Sequence, residues 1–241
     1  MFPKYRYSRL LNGSLSVDDS GSASGYIFAG ASCKTDHRLK LRISKDMHDE
    51  TYDLKNDGSF EIFPLNLGNG NYQIKLYENT YGNRYADNGT VSIYVNFENE
   101  DAPFLCPNQF VYYDENSEVV NISESICSGK SDEASFESVR NYIKQNFAYD
   151  FIKAATRKPG MVPDIDGTIS KKMGICQDLS AVVVAMLRVQ GIPSKLVFGH
   201  ADNLYHAWTL NKINGRYTLF DPTVELYAAN KPSKYTEERV F

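Results

Sequence analysis

The feature that most limits the fold is a change of hydrophobic period partway along the chain. From Leu11 to about Phe97, apolar residues come in short alternating runs and no helical period is sustained. In Leu39 to Ile43 and Tyr72 to Leu76, charged or amide residues take every second place, the period of a strand with one face in solvent. Asn56-Asp57-Gly58, Gly68-Asn69-Gly70-Asn71 and Asn88-Gly89 supply turns between the runs. A β-sandwich of two sheets is the economical way to bury one face of each run.

That sandwich, of the immunoglobulin-like kind, is expected over residues 1–100. The acidic Glu98-Asn99-Glu100-Asp101-Ala102-Pro103 marks a boundary, and an irregular connector is expected over 101–130. From residue 131 to 241 the pattern is different. Ser131 followed by Asp132 and Glu133 reads as a capped helix start, with Phe136, Val139, Ile143 and Phe147 at helical spacing. A loop follows from Pro159 to Gly167. Its Asp164-Ile165-Asp166-Gly167 reads as a turn, because the third early acid and late Glu of a calcium loop are missing. The expected fold class is therefore α+β, with domains at 1–100 and 131–241.

Composition excludes several functions. Lys plus Arg number 26 against 30 Asp plus Glu, a net charge of −4, so nothing draws the chain to a nucleic acid backbone. The longest apolar run, Ala181 to Leu187, has seven residues, where a membrane span needs about twenty. Met1-Phe2-Pro3-Lys4-Tyr5-Arg6-Tyr7 contains no apolar stretch of the signal-peptide kind. The cysteines Cys33, Cys106, Cys127 and Cys176 have no zinc-ligand spacing, and Cys106 with Cys127 is the one bridge expected. No metal or cofactor is implied.

Cys176 carries the chemistry. Gly174-Ile175-Cys176-Gln177-Asp178 opens a helix in which Leu179, Val182, Val183, Met186 and Leu187 share one face, ended by Gly191 and Pro193, so Cys176 sits at or just before its N-terminus. Unpaired N–H groups at a helix start favour an anion, here a thiolate. Downstream, Lys195 to Phe198 reads as a strand, and Tyr205 to Leu210 with Arg216 to Asp221 as a hairpin about Asn214-Gly215. A two-residue turn sets Asp221 opposite Trp208. His206 shares a sheet face with Trp208, so His206 and Asp221 are diagonal neighbours with Cα atoms about 7 to 8 Å apart. A three-residue loop would put one of them on the other face. Nucleophile, base and orienting acid are thus available as Cys176, His206 and Asp221. The Cys176 N–H is placed to serve as an oxyanion donor. Gln177 and Tyr205 are candidates for the second donor, and Trp208 either walls the cleft or lies in the core. His200, after Gly199, reads as a loop residue, and His37 and His48 as solvated.

Gly174-Ile175-Cys176, Leu187-Arg188-Val189-Gln190-Gly191-Ile192-Pro193, His206-Ala207-Trp208 and Asp221-Pro222-Thr223 together resemble the core of the transglutaminase-like superfamily, related to papain-type cysteine peptidases. The resemblance covers about residues 131–230. It implies a Cys-bearing helix packed on an antiparallel sheet, with Cys176 as acyl-accepting nucleophile, His206 as base and Asp221 as orienter. A β-sandwich ahead of such a core is typical of bacterial surface or secreted proteins, so an extracellular or cell-surface site is expected, the alternative being cytoplasmic. The function implied is acyl transfer on a peptide, protein or cell-wall substrate, as peptidase, amidase or transamidase. The alternative is a non-catalytic surface module that binds cell-wall glycan or protein.

Overall fold

The computed structural model describes residues 2–6, 10–32, 34–158, 160–227 and 231–241. Cys33, considered for bridging, Met1 and Tyr7 of the N-terminal stretch, and Pro159 of the expected loop lie outside the described residues. Two units divide the chain, Pro3–Cys106 and Pro107–Phe241, the second also holding Phe2.

Among its described residues the N-terminal unit has eight strands: β1 (Leu10–Asn12), β2 (Leu15–Asp18), β3 (Tyr26–Ala31), β4 (Leu39–Lys45), β5 (His48–Leu54), β6 (Glu61–Pro64), β7 (Gly70–Tyr81) and β8 (Arg84–Val95). They form two antiparallel four-stranded sheets, ordered β1-β2-β3-β6 and β5-β4-β7-β8. The alternation decides which side is buried. Leu39, Leu41 and Ile43 of β4 and Tyr72, Ile74 and Leu76 of β7 are all inside, while Lys40, Arg42, Gln73 and Lys75 between them are not. Tyr52 of β5 meets Phe63 of β6 edge-on at 5.1 Å between ring centroids, so both sheets contribute to one core.

The second unit contains α1 (Glu118–Cys127), α2 (Asp132–Asn146), β9 (Ala148–Tyr149), α3 (Phe151–Thr156), α4 (Ile165–Lys171), β10 (Met173–Gly174), α5 (Cys176–Val189), β11 (Ser194–Ala201), β12 (Leu204–Ile213), β13 (Arg216–Phe220), α6 (Pro222–Tyr227) and β14 (Tyr235–Val240). The strands β13-β12-β11-β14 form an antiparallel sheet, and β9 and β10 a short parallel pair. Ser131 caps α2 by accepting the Ala134 N–H, as its position predicts.

Several elements differ from expectation. The helix α1 stands where an irregular connector is expected; Val119, Ser123 and Cys127, four apart, form its buried stripe. Asp164 is the N-cap of α4, its carboxylate accepting the Gly167 N–H at 3.0 Å, so the suspected turn starts a helix. The thiols of Cys106 and Cys127 are not bridged. Cys106 donates to Ser24 O and Cys127 to Ser135 O, each within its own unit. Most informative is α5, which is buried from Cys176 through Arg188 rather than on one face. The strands β11 and β12 cover one side, and α1, α2, α4 and α6 the other. A charge in such surroundings needs partners; the Arg188 guanidinium donates through Nε and Nη2 to Ser194 O at 2.9 and 2.8 Å. Among the described residues no helix is long and apolar enough to cross a membrane.

The β12–β13 ladder runs from Ile213 opposite Arg216 to Thr209 opposite Phe220. Asn214 and Gly215 alone form its turn, with φ of 51° and 78°. Both angles lie in the left-handed region that the tightest hairpin turns require. Nothing would touch a Cβ at Gly215, so only backbone strain opposes one there. Replacing Gly215 with Ala is expected to destabilise the protein by about 1 kcal/mol, read as a lower midpoint at constant slope in urea unfolding.

Candidate active site

Three elements converge on one group of side chains. The helix α5 supplies Cys176 at its first position, after Ile175 in extended backbone (φ −89°, ψ 178°). A first-turn N–H has no intrahelical acceptor, so that of Cys176 is available for other use. Asp178 braces this start: its Oδ2 accepts the Ile175 N–H at 3.0 Å and the Lys153 ammonium at 2.7 Å. Asp178 has no solvent exposure. Left alone, its charge would oppose an anion on Cys176; Lys153, from α3, offsets it.

His206 projects from β12, where it faces Gly199 of β11. The β12–β13 register, continued by one pair, sets Asp221 opposite Trp208, and the diagonal closes: His206 Nε2 lies 2.8 Å from Asp221 Oδ2. The other ring nitrogen remains for Cys176, whose sulfur is close enough to act on the ring's charge. Burial works against a charged imidazole. The hydrogen bond and charge of Asp221, with the nearby sulfur of Cys176, outweigh it, raising His206 from 6.5 to about 9.

Asp221 is held at both oxygens. Oδ1 accepts the backbone N–H groups of Thr223 (2.9 Å) and Val224 (3.2 Å), and Oδ2 also accepts the Tyr235 hydroxyl at 2.9 Å. Burial and then the Asp221 charge push the Tyr235 phenol well above its ordinary range, keeping it a proton donor here. Tyr235 belongs to β14, and no motif in the sequence points to it. Fourteen residues past Asp221 and on the far edge of the sheet from β13, it is found only through topology.

The remaining candidates separate clearly. Trp208 has no solvent exposure and packs on Tyr235 at 5.0 Å between ring centroids, so it is core beneath the acid, not a cleft wall. Gln177 is buried, its amide donating to Met161 O at 3.1 Å. Tyr205 is exposed, beside His200 and under the Arg157 guanidinium. It alternates with His206 on β12 and so points to the opposite sheet face. His200 lies within β11 and not in a loop; its Nδ1 is 2.8 Å from Glu238. The strand alternation directs it away from the face of His206.

A cleft of about 720 Å³ opens beside His206, lined also by Tyr149, Phe151, Leu204, Val224 and Tyr227. Burial, and next the charge of a Cys176 thiolate, hold the Tyr149 phenol above its ordinary range.

Residues 121–222 match the profile of the transglutaminase-like superfamily, and they form a transglutaminase-like domain. Among solved structures, a protein described as a candidate cysteine protease from Cytophaga hutchinsonii is similar at 16% identity, over 79% of this chain and 68% of its own, with a TM-score of 0.44. A candidate protease from Parabacteroides distasonis is similar at 14% identity over 78% of this chain and 38% of its own (TM-score 0.37). Red sea bream transglutaminase is similar at 12% identity over 86% of this chain and 49% of its own (TM-score 0.37). The chain thus spans less than half the length of the last two. No curated protein matches it.

A raised histidine stabilises the fold while it is protonated. The contribution is fully present below pH 6.5 and is lost as the pH climbs through about 9. The shift corresponds to a few kcal/mol, on the order of 3. NMR titration of His206 is expected to give a midpoint near 9, moving down in Asp221→Asn. The fall in unfolding free energy between pH 6.5 and 9 should shrink in His206→Asn.

Proposed function

We propose that this protein is a cysteine acyltransferase or peptidase that acts on peptide or amide carbonyls through a thioester on Cys176. The single observation that carries this reading is the His206–Asp221 hydrogen bond of 2.8 Å beside Cys176, whose sulfur acts on the same ring: a nucleophile, a base and an acid in series. His206 is charged up to about pH 9, which sets an imidazolium beside the sulfur, and the thiolate form of Cys176 is the nucleophile. The thiolate attacks the carbonyl carbon and a C–S bond forms. The Cys176 N–H, at the start of α5, faces the developing oxyanion. As the C–N bond breaks, His206 gives its proton to the leaving nitrogen. Water or an amine then attacks the thioester, His206 takes its proton, and the C–S bond breaks to regenerate the thiolate. Asp221, fixed by Tyr235 and two backbone N–H groups, holds the ring so that Nε2 stays protonated.

The two antiparallel sheets around a shared core support reading Pro3–Cys106 as an immunoglobulin-like sandwich. With that reading goes an extracellular or cell-surface location, where peptides, proteins and cell-wall fragments are the available substrates.

Iodoacetamide provides the direct test. Cys176 is expected to label well before Cys106 and Cys127, the latter buried with its thiol pushed up by desolvation. His206→Asn should slow Cys176 labelling to the rate of N-acetylcysteine amide. Hydrolysis of an activated ester, p-nitrophenyl acetate, should vanish in Cys176→Ala and fall about 10² to 10⁴-fold in His206→Asn. Labelling of native Cys176 no faster than the small thiol, with no acyl adduct by mass spectrometry, would remove it from the mechanism.

A further inference from the structure

We propose that the cleft at His206 is the subsite for the amine partner of the reaction, and that it selects a bulky, apolar, uncharged side chain on that amine. This rests on the role given to Cys176 above. The imidazole must protonate the departing nitrogen and deprotonate the incoming one, so both nitrogens lie on the imidazole's side of the thioester. His206 lines the cleft itself.

The walls are built for apolar contact. Tyr149, Phe151 and Tyr227 form a cluster of three rings, with centroids 5.2, 5.6 and 5.8 Å apart and all edge-on. The Tyr149 N–H donates to the Tyr227 hydroxyl at 2.9 Å, tying β9 to α6 and fixing the cluster. Leu204, Val224, Ala201 and Pro232 add to the apolar lining. Phe151 and Leu204 are 65% and 75% exposed. Large apolar side chains gathered in the open beside a reactive pair mark a binding surface more than scattered exposure does. The acid in the lining, Asp202, is consumed: its oxygens accept from the Ser233 N–H, the Ser233 hydroxyl and the Lys234 N–H. A cationic side chain therefore finds no free carboxylate in the lining, and an anionic one finds no free cation, since the His206 imidazole is already paired with Asp221.

Aminolysis of a preformed acyl-enzyme isolates the subsite. Acetyl-Cys176 is made with p-nitrophenyl acetate and confirmed by mass spectrometry. It is then offered phenylalaninamide, glycinamide or glutamic acid α-amide in water. In each case the amine nitrogen attacks the thioester carbonyl, an N–C bond forms and the S–C bond breaks. The amine proton goes to His206, and the sulfur departs as the thiolate. The ratio of acetyl amide to acetate should be at least about tenfold higher with phenylalaninamide than with glycinamide or glutamic acid α-amide. Both Phe151→Ala and Leu204→Asn should move that ratio toward one. Acyl-enzyme that forms normally but partitions equally among the three amines would overturn the subsite and leave the role of Cys176 standing. Absence of any acyl group on Cys176 would overturn both.

Discussion

The second unit depends on a helix with no face in solvent. Encasing α5 from Cys176 to Arg188 buries a long apolar surface, and it also obliges every polar group on the helix to find a partner inside. Asp178 takes the Ile175 N–H and the Lys153 ammonium, Gln177 the Met161 carbonyl, Ser180 the Ala207 carbonyl and Arg188 the Ser194 carbonyl. Breaking a buried charge pair typically costs about 3 to 5 kcal/mol, so these contacts limit how the helix can slide or rotate. The sulfur inherits that restriction. Its position is set by the packing of the whole unit, whereas the imidazole and carboxylate are positioned by one hairpin.

That difference explains what could be read from sequence. The pairing of His206 with Asp221 is local: alternation gives each strand's faces and Asn214-Gly215 gives the register, and the hydrogen bond follows. The helix α5 is legible too, because the length of the run to Gln190 and its Ala, Met and Leu content favour a helix over a strand, with Cys176 at or just before its start. What escaped was non-local or weakly marked. In α1 the buried stripe contains Ser123 and Cys127, which do not announce a core. Its Ser123 hydroxyl donates to Met186 O and so works as a packing residue despite its polarity. The burial of α5 on every side could not be inferred from Leu179, Val182, Val183, Met186 and Leu187 alone, since it depends on α1, α4 and α6. Trp208 shares the face of His206, as its parity requires, yet alternation cannot say whether a face looks into a cleft or under another strand.

Tyr235 shows how the second half of the site is closed. The strand β14 pairs with β11, which brings a phenol from near the C-terminal end of the sequence onto Asp221. Gly199 permits the approach: a Cβ there would run into Thr236 O and touch the Trp208 ring. A residue without a side chain thus lets β14 lie close enough for Trp208 to support Tyr235 and for Tyr235 to hold the acid. The orientation of His206 therefore has two supports, the hairpin on one side and the β14 edge on the other.

The two-residue tip at Asn214-Gly215 carries a consequence for how such sequences drift over generations. Adding one residue there would invert the parity of everything beyond it on β13 and turn the carboxylate of Asp221 away from its ring. Lineages that keep the chemistry should therefore lengthen this tip in steps of two, or absorb an odd residue in a bulge before Asp221.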